Sequence, residues 1–80
     1  MTKEINVHDC TKKEAIRNIQ KVIVKYPTLD LLIVIHGFNN GSAIKEMLKN
    51  KYNIHNKRVK KTIPEPFNDG RTWIYLNKSC

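Results

Sequence analysis

Glycine, proline and cysteine are all scarce in this sequence, which holds three glycines, three prolines and two cysteines. Scarce glycine and proline leave no low-complexity stretch and no linker that would divide the chain. Cys10 and Cys80 stand seventy positions apart with no Cys-x-x-Cys pair, which argues against a thiol redox motif or a zinc knuckle. In a reducing cytosol they are expected as free thiols. Long hydrophobic runs are missing too. The longest, Leu31–Ile35, has five residues, against roughly 20 needed to cross a bilayer. Met1–Asp9 alternates charged and apolar residues and lacks the apolar stretch of a signal peptide. The expected location is therefore the cytoplasm, with no membrane partner.

Acidic residues are the other shortage. Seven Asp and Glu face fifteen Lys and Arg, a formal net charge of +8 on 80 residues. A field of that sign draws polyanions, nucleic acid foremost. AT-rich coding also favours Lys, Asn and Ile, so composition alone leaves the origin of the excess open. Hydrophobic residues make up 40% of the chain, enough for a globular fold and too many for a disordered tail. The length suits one domain, residues 1–80, burying only about 60–65% of its unfolded surface.

The periodicity supplies an architecture. Ile5-Asn6-Val7-His8 alternates and reads as a short strand. Thr11-Lys12-Lys13-Glu14 is a capping box. Behind it Ala15, Ile16, Ile19, Val22, Ile23 and Tyr26 recur at helical spacing, and the helix must end before Pro27. Leu29–Ile35 is β-branched and nearly continuous, as a central strand requires. After the polar stretch His36–Gly41, Ser42 can cap a second helix with Ala43, Ile44, Met47 and Leu48 on its apolar side. Tyr52–Asn56 reads as a loop and Arg58–Ile63 as a third strand. Asn68-Asp69-Gly70 is a turn, and Thr72–Leu76 a final strand with Trp73 expected in the core. The order β-α-β-α-β-β implies an α/β two-layer sandwich, a mixed sheet carrying two helices on one face.

Three motifs in this order resemble the Smr (small MutS-related) domain family over Ile5 to Leu76. Ile5-Asn6-Val7-His8-Asp9 stands where the family has Leu-Asp-Leu-His-Gly. Val34-Ile35-His36-Gly37 followed by Gly41 is similar to its His-Gly-x-Gly-x-Gly loop. Phe67-Asn68-Asp69-Gly70 with Thr72–Leu76 resembles its Gly turn and last strand. The resemblance implies a fold like the C-terminal domain of bacterial translation initiation factor three. It also implies DNA or RNA binding and, in several members, endonuclease activity. The sequence departs from the pattern at Asn6, where active members carry an acid, and at Asp9 and Asn39, where they carry glycine. An amide cannot replace a carboxylate as base or metal ligand, so binding survives these changes more readily than cleavage.

The candidate residues follow from these motifs. Gly37, Phe38, Asn39, Asn40, Gly41 and Ser42 form a loop whose backbone could approach a phosphate. An ordinary strand-to-helix turn would use the same glycines for positive φ. Lys45, Lys49 and Arg58 belong to a basic cluster holding seven Lys and Arg between positions 45 and 61, and are the expected backbone contacts. Phe38 and Tyr52 could stack on unpaired bases. His8 and His36 end two strands on the side where open α/β sheets bind ligands. They could act as acid and base in RNA or DNA cleavage, or simply tie strand ends by hydrogen bonds. No cofactor is expected, save Mg²⁺ should the chain be a nuclease. Three functions thus stand open: a nucleic-acid-binding module, an endonuclease using His8 and His36, or a module docking on the ribosome or on an acidic protein.

Overall fold

The capping box at Thr11 does start a helix. The Thr11 hydroxyl accepts from the Glu14 N–H, and the Glu14 carboxylate accepts from the Thr11 N–H. Those bonds to Thr11, backbone first, hold the Glu14 carboxyl below its ordinary pKa. From this cap α1 runs Lys12–Lys25, burying Ala15, Ile19 and Ile23. It stops at Tyr26, whose φ of −119° and ψ of 86° obey the constraint set by Pro27.

The computed structural model describes residues 1–37 and 43–78. Its other elements are β1 (Thr2–Asn6), β2 (Leu31–Ile35), α2 (Ala43–Leu48), a 3₁₀ turn (Lys51–Ile54), β3 (Val59–Pro64) and β4 (Arg71–Leu76). The 3₁₀ turn occupies the stretch that sequence alone reads as loop, and Ile54 within it is fully buried. The sheet order is β1-β2-β4-β3, with β1 and β2 parallel and the other pairs antiparallel. Among the described residues this is the mixed α/β sheet with two helices that the element order predicts.

Strand alternation divides the sheet into two unlike faces. Leu32 and Val34 of β2, with Ile74 and Leu76 of β4, bury themselves against Ile19, Ile23, Ile44, Leu48 and Ile54. Each such aliphatic side chain contributes about 1.5–3 kcal/mol by leaving water. The opposite face carries Leu31, Ile33 and Ile35 beside Tyr75, Trp73 and Arg71, all half-buried. Trp73 therefore lies on the open face and not in the core. Its indole donates to Glu65 Oε1 at 2.7 Å, and its ring meets Tyr75 edge-on at 6.5 Å. Arg71 bridges β4 to Glu4 of β1 at 2.7 Å. Aromatic rings and ion pairs thus shield this face in place of a second helical layer.

Arg58 locks the helical layer to the sheet. Its five N–H groups donate to the carbonyls of Ile23, Tyr26, Pro27, Leu29 and Asn77. Two of these belong to the end of α1, where carbonyls have no partner within the helix. The guanidinium fork satisfies several at once, with the favourable charge for a helix C-terminus.

Candidate nucleic-acid interface

Because β1 and β2 are parallel neighbours, their C-terminal ends lie side by side. The Val7 N–H extends the ladder by one rung, donating to the Ile35 carbonyl at 2.8 Å. The next residues out are His8 on one strand and His36-Gly37 on the other. Gly37 has φ of +65°, and a Cβ placed on it would stand 3.3 Å from His8 Cβ. Both the backbone conformation and the closeness of His8 call for glycine here.

A second clamp comes from the turn before β4. The Gly70 carbonyl accepts from the N–H groups of His36 and Gly37, each at 2.9 Å. That turn is itself held by the Asn68 side chain accepting from the Gly70 N–H at 3.0 Å. All three motifs of the sequence thus converge at one end of the sheet. Phe67, at the same turn, has φ of +64° and a fully exposed ring. Sequence reasoning missed it. The signal was a large aromatic between Pro66 and Asn68, with no apolar periodicity to give it a buried face.

The two histidines differ in environment. His36 is only 4% exposed. Its Nε2 lies 2.8 Å from Thr72 Oγ1, and its Nδ1 lies 3.3 Å from the Gly37 carbonyl. A carbonyl only accepts, so Nδ1 carries the proton and Nε2 of the neutral ring accepts from the Thr72 hydroxyl. Burial holds the His36 pKa below its ordinary value, and the Lys45 charge adds to the effect against the Gly37 hydrogen bond. His36 therefore ties β2 to β4. His8 is about one-third exposed, with Nδ1 against Asn6 Oδ1 and Nε2 3.0 Å from the Asp9 carboxylate. Two of the three departures from the family pattern, Asn6 and Asp9, flank the same imidazole.

A shallow hollow of about 310 Å³ opens beside these residues, between the starts of α1 and α2, lined by Asp9–Lys12, Ala43 and Ile44. Lys45 reaches Asp69 at 3.4 Å, and Lys49 pairs with Glu46 at 3.0 Å. Arg58 was expected to contact phosphate, but its five donors are spent on backbone carbonyls inside the fold. Phe38, Asn39, Asn40, Gly41 and Ser42 lie outside the described residues, as does Cys80. Tyr52, named with Phe38 as a stacking ring, stands in the 3₁₀ turn, which packs against α1 and β3 away from this end of the sheet. Among the described residues no three His, Cys, Asp or Glu side chains gather as a metal-binding set. Among them, too, no helix is long and apolar enough to cross a membrane.

No protein-family model matches the sequence, and no curated protein matches it. A solved structure does. The chain is similar to the Smr domain of Thermus thermophilus MutS2, with a TM-score of 0.71 and 25% identity. The match covers 94% of this chain and 98% of that one, so the likeness spans the whole domain and not a shared fragment.

Proposed function

The chain is an Smr-like domain, and on that premise we propose that it is a nucleic-acid-binding module. It holds the phosphate backbone of RNA or DNA at the end of the sheet where β1 and β2 finish. The observation that carries this reading is the convergence of His8, Gly37 and the Gly70 turn at one end of a domain with net charge +8. Gly37–Ser42 is the segment assigned to approach phosphate, and Lys45 and Lys49 follow it in the sequence. Their partners, Asp69 and Glu46, are exposed, and exposed ion pairs are worth about 0–1 kcal/mol, so a phosphate competes for either lysine at little cost. Lys12, Lys13, Arg17 and Lys21 extend the basic flank along α1. Contacts of this kind fix position and charge and read no sequence.

One observation favours a second reading, endonuclease activity. The Asp9 carboxylate lies 3.0 Å from His8 Nε2, so a carboxylate orients this imidazole although position 6 is an amide. With Nδ1 held by Asn6 Oδ1, Nε2 is the nitrogen that can move a proton to or from a ribose hydroxyl or a leaving oxygen, by exchanging the Asp9 carboxylate for the substrate. His36, buried and bonded to Thr72, supports the strand end instead of reaching a substrate.

End-labelled single-stranded RNA and DNA, incubated with the protein and with His8→Ala, with and without Mg²⁺, test both readings on gels. The binding module predicts a shifted, intact strand with both proteins. Cleavage by the wild type that His8→Ala abolishes would establish the enzyme. Absence of both at low salt would refute the nucleic-acid reading and favour a protein or ribosomal partner.

A further inference from the structure

The segment between α2 and β3 is pinned down residue by residue. The Asn50 side chain accepts from the Tyr52 N–H at 3.0 Å, and Asn53 Nδ2 donates to the Met47 carbonyl at 2.8 Å. Gln20 Nε2 of α1 reaches the Ile54 carbonyl at 2.8 Å. His55 then takes a left-handed conformation, φ 55°, and turns the chain into β3. The buried Ile54 and the asparagines account for the structural needs of this segment. They do not account for Lys51, Tyr52, His55 and Lys57.

Those four residues, with Asn56 and Val59, line an open groove of about 610 Å³ that contains no acidic side chain. Tyr52 is 74% exposed, among the most exposed large hydrophobic residues described. The Lys51 ammonium lies 5.3 Å from the centre of its ring and donates to the Lys60 carbonyl at 3.2 Å. β3 is an edge strand and its register shifts between Val59 and Lys61, leaving Lys60 without a paired residue on β4. An exposed aromatic ring with Lys51 over one face leaves the other face for an unpaired base, with cations beside it for the flanking phosphates.

We propose that this groove is a second nucleic-acid subsite, specific for single strands, in which a base stacks on Tyr52 while Lys51 and Lys57 meet neighbouring phosphates. The proposal rests on the nucleic-acid-binding reading and deepens it. Charge alone would admit an acidic peptide, but a peptide gains little from the face of Tyr52. A duplex is equally anionic yet keeps its base faces stacked away. The groove lies at the start of β3, diagonally across the sheet from His8 and Gly37. Two strand spacings to Gly37, three to His8, and one strand length separate the sites, roughly 20–25 Å. A strand reaching both therefore spans about 6–8 nucleotides at stacked spacing.

Fluorescence anisotropy with a labelled 12-nucleotide RNA, single-stranded and annealed to its complement, tests this. Tyr52→Ala is expected to weaken single-strand binding about 5- to 100-fold and to leave duplex binding and the salt dependence unchanged. Tyr52→Phe keeps the stacking face and should bind within about twofold of the wild type. Lys57→Ala should flatten the salt dependence by about 0.7 in slope. Tyr52 is exposed, so these variants keep the fold, which circular dichroism checks. If the wild type binds the strand and Tyr52→Ala binds it as well, the subsite is refuted and the parent reading stands. Equal losses on single strand and duplex would also refute it. If the wild type binds neither oligonucleotide, the parent reading itself fails.

Discussion

At the scale of single residues, two side chains that sequence placed at a binding site turn out to hold the fold. Arg58→Ala removes a charged fork from five carbonyls and should cost roughly 2–4 kcal/mol in a urea titration. Arg58→Lys should recover little, because an ammonium cannot reproduce the fork. His36 makes stability depend on pH. Its pKa is lowered in the folded state, so between the folded and unfolded values the unfolded chain binds more protons. Stability is whole above the ordinary histidine value of 6.5 and declines as pH falls through the folded value. Urea midpoints at pH 7.5 and 5.5 should show the decline, and His36→Gln should reduce it. Gly37→Ala forces a side chain into positive φ and against His8. A loss of about 1–2 kcal/mol, accompanied by weaker nucleic-acid binding, is the expected result.

At the scale of elements, the sequence carried what depends on local pattern. The capping box at Thr11 and the apolar stripe behind it fixed the start and the buried face of α1, and Thr11→Ala should cost about 1 kcal/mol by thermal melt. The strands were legible from β-branched runs and turn residues, but not all their bounds. The first, expected over Ile5–His8, forms over Thr2–Asn6, and the second begins at Leu31 instead of Leu29. Pairing between β1 and β2, and not local alternation, sets their extent. What escaped was tertiary. Tyr52–Asn56 lacks helical periodicity, and its 3₁₀ turn exists because Gln20, Asn50 and Asn53 tie it down from three directions. Trp73 reads as core by composition, yet its register opposite Ile33 places it on the open face. That His8 and His36 come at the ends of neighbouring strands was legible from the element order; that Gly37 stands against His8 while His36 is buried was not. The internal use of Arg58 was not, since all of its carbonyl partners but one lie about 30 residues earlier.

At the scale of the whole molecule, fold and charge make separate claims. The fold is that of an Smr-like domain, a likeness that covers 94% of the chain. The charge of +8 is what should make such a domain cling to phosphates, and phosphate binding leaves a thermodynamic signature that a protein partner lacks. Each phosphate neutralised releases condensed counterions, so the logarithm of the binding constant falls linearly with that of salt concentration. The most direct test of the central claim is therefore a salt titration of binding to a labelled single-stranded RNA between about 50 and 200 mM. The account predicts a slope of about −3 or steeper, the product of some four or more phosphate contacts at about 0.7 each. A slope shallower than about −1, or no binding at the lowest salt, would contradict it.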